Sequence, residues 1–60
     1  MAGQEGEGMI QEIIKKNGIR VIYSPMKHLY KVQQLSGVWR EIGQYKTYDG
    51  AMNRFREEVR

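Results

Sequence analysis

The sequence predicts an α+β fold: a small three-stranded antiparallel sheet, a C-terminal helix packed on one face, and a short N-terminal helix. Three observations lead there. Runs rich in β-branched and aromatic residues recur over residues 19–24, 28–35 and 38–45, with turn-forming residues between them. An apolar stripe at Tyr48, Ala51, Met52, Phe55 and Val59 follows with helical spacing. The chain has only 60 residues, which is one domain at most, and such a chain hides only about 60% of its unfolded surface.

The elements follow in chain order. Residues 1–8, "MAGQEGEG", hold three Gly, two Glu and no large apolar residue after Met1, so they are expected to form a disordered tail ahead of a single domain over 9–60. Residues 9–18, "MIQEIIKKNG", admit two readings. Asn17-Gly18 is a strong hairpin dipeptide and would join two strands. Against that, Met9, Ile10, Ile13 and Ile14 recur with helical spacing. Lys15 and Lys16 suit a helix C-terminus, and Gly18 suits the cap beyond it. Strand alternation is poor here, because Ile13 and Ile14 fall on opposite faces, so the helix is preferred. "IRVIYS" alternates Ile19, Val21 and Tyr23 against Arg20 and Ile22, and Pro25 ends it. "HLYKVQQL" and "VWREIGQY" flank Ser36-Gly37 and predict a hairpin. Thr47 is a natural N-cap, and Asp49 places a negative charge in the first helical turn.

Parity sorts the hairpin side chains. With Ser36-Gly37 as a two-residue turn, Gln34 faces Trp39 and Val32 faces Glu41. One face then carries Tyr30, Val32, Trp39 and Tyr45, and the C-terminal helix covers it. The other carries Lys31, Gln33, Arg40, Gln44 and Lys46 together with Leu29, Leu35, Val38 and Ile42, and a bulge would flip part of this assignment.

Charge and composition narrow the function classes. The net charge is +3. Residues 1–8 carry Glu5 and Glu7 and no base, while the rest holds all ten Lys and Arg against five acids. A basic body suits a polyanion or an acidic protein as partner. The chain has no Cys and one His, which leaves no disulfide, no thiolate metal site and no multi-histidine site. No 18-residue apolar run and no signal-peptide core occur, so the expectation is an intracellular protein that engages no membrane. Ser24 and Ser36 are turn residues with no histidine close in sequence, His28 stands alone in "MKHLYK", and Glu57 and Glu58 point apart on a helix. No phosphate-binding glycine loop is present. The expectation is a protein that is not an enzyme and needs no cofactor or metal.

The basic and amide set is the feature with functional content. Arg and Lys neutralise phosphates, and Arg, Lys and Gln also read base edges. Lys31, Gln33, Arg40, Gln44 and Lys46, with Arg20 on the neighbouring strand, are the candidate nucleic-acid contacts. The ordinary alternative is a solvated sheet face, which has the same composition.

From Tyr30 onward, "YKVQQLSGVWREIGQYKTYDGAMNRF" resembles the small βββα DNA-binding domains of the AP2 type and the arm-site-binding domains of tyrosine recombinases. Tyr30, Gly37, Trp39, Gly43, Tyr45, Thr47, Ala51 and Phe55 carry the resemblance, which spans about half the chain. It implies a sheet face in the DNA major groove, with Lys31, Gln33 and Arg40 as the carried-over contacts. AP2-type domains carry more arginines on these strands. With a first helix, the order α–β–β–β–α is also similar to double-stranded RNA-binding domains. That family has a phosphate-binding lysine pair where this chain has Tyr48-Asp49-Gly50.

Two functional expectations follow. The first is a small accessory protein, of phage or mobile-element type, that docks duplex DNA in preference to RNA. The second is a protein-interaction module that inhibits or adapts a partner through Leu29, Leu35, Val38 and Ile42, or through an open sheet edge; a homodimer belongs to the same class.

Overall fold

A computed structural model describes residues 10–60, and the tail expected over 1–8 lies outside the described residues. The elements are β1 (Gln11–Lys16), β2 (Ile19–Ser24), β3 (Leu29–Ser36), β4 (Val38–Tyr45) and α1 (Tyr48–Glu58). The strands form one antiparallel sheet in the order β1-β2-β3-β4, and α1 packs across β2, β3 and β4 on one face. The α+β class and the covering C-terminal helix agree with the sequence. The sheet has four strands where three were expected, because the first element is a strand and not a helix.

The turn decides that first element. Asn17 (φ 55°) and Gly18 (φ 75°) both adopt left-handed backbone, as a two-residue hairpin turn requires, and Lys16 closes it opposite Ile19. Asn17 Nδ2 also donates to the Val59 carbonyl at 3.2 Å, tying the turn to the end of α1. The poor alternation of "QEIIKK" has its own explanation. Register shifts between Glu12 and Ile14, so a bulge absorbs Ile13 and delivers Ile14 to the covered face. With a strand first, the order is ββββα, and the α–β–β–β–α order on which the double-stranded RNA-binding resemblance relied is not formed.

The core lies between α1 and the middle strands. Ile19, Val21, Val32, Ala51 and Phe55 are buried, with Val21 and Val32 paired across β2 and β3 and fully enclosed. Met52 and Val59 pack against this cluster, whereas Tyr48 stays half-exposed and sets its ring edge-on to Tyr30 at 5.9 Å. Thr47 caps α1: its Oγ1 accepts from the Gly50 amide at 3.1 Å.

Tyr45 has an unusual seat. A Cβ on Gly43 would lie 2.8 Å from its Cε1 and Oη, and a Cβ on Gly50 would lie 3.3 Å from its Cδ2. The ring is held between two glycines, one on β4 and one on α1. Its hydroxyl accepts from Arg54 Nη1 at 3.3 Å. Arg54 also donates to Glu58 at 2.8 Å, and these contacts, the Tyr45 hydrogen bond first, raise its pKa.

The β3–β4 hairpin differs from the expected pairing in two places. Leu35 faces Trp39 and Gln34 faces Arg40, one residue out of the expected register, because Ser36 and Val38 pair around Gly37 alone (φ 78°). A second shift between Val32 and Gln33 leaves Ile42 as an extra residue and puts Gly43 opposite Val32. Between the two shifts every side chain swaps face. Trp39 therefore leaves the covered face, Arg40 moves to the covered side, and Ile42 packs against the core. Beyond the second shift the errors cancel, and Gln44 and Tyr45 stand on their expected faces.

Candidate nucleic-acid interface

The helix covers one face of the sheet, and no described element covers the other. Pairing assigns that open face. Glu12 is in register with Ile22, and Ile22 with Lys31, which is in register with Gln44. Lys15 is in register with Arg20, Arg20 with Gln33, and Gln33 with Glu41. Ser24 is in register with Leu29, and Leu35 with Trp39. Paired residues on antiparallel strands point to the same side. Ile22 is only 5% exposed although it lies on this uncovered side. Its register neighbours Glu12 and Lys31 have long stems that can lie over an apolar neighbour while their charged ends reach water.

Arg20 is the hub of the face. Its guanidinium carbon lies 4.1 Å from the centroid of the Trp39 ring, a cation–π distance. Its Nε donates to Gln33 Oε1 at 2.6 Å, and its Nη1 lies 3.6 Å from Glu12 Oε1. Lys31 Nζ lies 3.4 Å from Glu41 Oε1, and Gln44 Nε2 donates to the other oxygen of the same carboxylate. The face thus holds the cations Lys15, Arg20 and Lys31 beside two carboxylates, and the carboxylates engage Arg20 and Lys31. Both pairs are only partly exposed, with the Arg20 side chain at 24% and Lys31 at 19%, and an incoming phosphate would have to displace these carboxylates.

Four of the six expected contacts, Arg20, Lys31, Gln33 and Gln44, share this face. Arg40 does not, because the hairpin register places it opposite Gln34 on the other side. Lys46 lies beyond β4, in the bend before α1, and is exposed. The four apolar residues expected to accompany them are dispersed. Leu29 and Leu35 are on the open face, Ile42 is part of the helix-side packing, and Val38 sits at the hairpin tip in register with Ser36. Trp39, Glu12 and Glu41 belong to the face, and sequence reasoning left them out. One signal for Trp39 existed: a glycine inside a strand, here Gly43, marks a bulge.

Other features of the surface lie elsewhere. A shallow depression near the end of α1 is lined by Lys16, Asn53, Arg56, Glu57, Val59 and Arg60, none of which belongs to the open face. His28 is exposed in the β2–β3 turn with left-handed backbone (φ 56°). Among the described residues, no cluster of His, Asp and Glu could hold a metal ion, and no helix is long and apolar enough to cross a membrane. No family model, no curated protein and no solved structure matches this chain.

Proposed function

We propose that this protein binds nucleic acid, duplex DNA foremost, through the open face of its sheet. The observation that carries this reading is the grouping of Arg20, Lys31, Gln33 and Gln44 on a face that no described element covers, with Arg20 stacked on Trp39. Arg20 and Lys31 exchange their carboxylate partners for phosphates. Gln33 on β3 and Gln44 on β4 reach toward base edges, and a sheet can enter the major groove for that purpose. Fluorescence anisotropy with labelled duplex DNA, duplex RNA and single strands, at two salt concentrations, tests it. Duplex DNA binds, and the affinity falls steeply with salt. Lys31→Ala weakens binding and lowers the salt slope by about 1. Arg40→Ala, off the face, serves as the control. Absence of binding at low salt removes the reading.

A second reading, a protein contact at the β3–β4 hairpin, is favoured by one observation: Leu35 is 50% and Val38 68% exposed at its tip. Val38→Asp separates the two, because Val38 pairs with Ser36 on the side away from the open face: it abolishes a protein contact at the tip and leaves the fold and the DNA-docking face intact.

A further inference from the structure

We propose that the outer edge of β1 pairs with the same edge of a second copy of this chain, forming a two-fold symmetric dimer with a continuous sheet. No described strand pairs with that edge. Its sequence, Gln11–Lys16, is self-complementary when read antiparallel about the Ile13–Ile14 bond. Glu12 then faces the partner's Lys15, Gln11 faces the partner's Lys16, and Ile13 faces the partner's Ile14.

In a regular strand this register cannot form. Glu12 and Lys15 are three residues apart, so they would point to opposite faces, whereas a two-fold axis perpendicular to the sheet keeps every side chain on its own face. The bulge at Ile13 removes the conflict. Glu12 is in register with Ile22 and Lys15 with Arg20, positions two apart on β2, so both point to the open face and share the same hydrogen-bonding phase. Gln11 and Lys16, in register with Tyr23 and Ile19, agree in the same way on the covered side. Bulges and edge lysines commonly guard an edge against indiscriminate pairing. On β1 they leave one register in which faces and charges both match.

A second feature points the same way. Within one chain Lys15 stands opposite Arg20, a like charge, and it belongs to none of the ion pairs among the described residues. The partner's Glu12 supplies the missing carboxylate, twice per dimer by symmetry. The β4 edge offers no such match: its adjacent Arg40 and Glu41 lie on opposite faces, and two-fold pairing centred on either one sets like charges together. The β1 contact also closes on itself, because each copy uses up the edge it offers, so the assembly stops at two.

Sedimentation equilibrium over a wide concentration range tests this, with thermal unfolding as the control on the fold. The wild type dimerises reversibly. Lys15→Glu is the decisive variant, since it places a carboxylate opposite Arg20 and leaves the monomer at least as stable. Even so, it weakens the dimer about ten-fold, because each of two symmetric contacts turns from attractive to repulsive. Adding Glu12→Lys restores opposite charges across the axis and returns the affinity to within about two-fold of wild type. A wild type that remains monomeric throughout overturns the proposal. So does a dimer that Lys15→Glu leaves unchanged, or a double variant as weak as the single one.

Discussion

Replacing Gly43 with alanine tests the packing of Tyr45 directly. The new methyl carbon would sit 2.8 Å from Cε1 and Oη of the Tyr45 ring, inside any real carbon contact. The ring is rigid, and Gly50 on α1 flanks its other side, close enough that a Cβ there would lie 3.3 Å from Cδ2. It must swing out, losing the hydrogen bond from Arg54. Overpacking of this kind costs about 1–3 kcal/mol. Removing a glycine from a strand returns about 0.5–1 kcal/mol by narrowing the unfolded ensemble. The net expectation is a loss of about 1–2 kcal/mol, a fall in Tm of roughly 5–15 °C for a domain of this size. Urea and thermal denaturation followed by circular dichroism measure it. Combining Gly43→Ala with Tyr45→Ala should abolish the penalty of the first change. A Gly43→Ala protein as stable as wild type, or a penalty that persists without the Tyr45 ring, refutes the packing argument. Gly50→Ala is the contrasting case. Its contacts are looser, 3.1 Å to Thr47 Oγ1 and 3.3 Å to Tyr45, and alanine gains about 1 kcal/mol in helix preference, so the two nearly cancel.

Three further outcomes follow from the same contacts. Phe55→Ala empties the centre of the helix–sheet core at a cost of about 3–5 kcal/mol, enough to leave so small a domain largely unfolded by circular dichroism at 25 °C. Thr47→Ala removes the cap on Gly50 and lowers stability by about 1 kcal/mol in urea denaturation, while Thr47→Ser retains most of it. Arg20→Ala uncovers one side of the Trp39 ring and shifts its emission to longer wavelength; an unchanged spectrum would show that the two side chains do not stack in solution.

Local chemistry made most of the fold legible. Alternation in "IRVIYS", the Thr47 cap and the stripe through Ala51 and Phe55 each have one reading, and each element forms where the sequence puts it. The first element went the other way because two signals conflicted. Helical spacing of the isoleucines is a packing preference, but the left-handed backbone that Asn17-Gly18 favours is a geometric demand, and the bulge at Ile13 reconciles the isoleucines with a strand. The site was legible in part. Arg20, Lys31 and Gln33 follow from parity and Gln44 is right because two shifts cancel, but Arg40, Trp39 and Ile42 lie between the turn and a bulge, where one extra residue inverts the faces. Parity counts from a fixed origin, and neither a single-residue hairpin loop nor a bulge announces itself in residue types, apart from the glycine that follows Ile42.

Trp39 is the single tryptophan of the chain and sits on the open face against Arg20, so its emission reports on that face alone. Titrating the protein with unlabelled duplex DNA at low salt, then raising the salt, is the most direct test of nucleic-acid docking there. Docking on the open face gives a saturable change in Trp39 emission that salt reverses. Emission that stays flat contradicts it: if anisotropy still detects a complex, DNA is held by another surface, and if anisotropy detects none, the open face does not bind DNA.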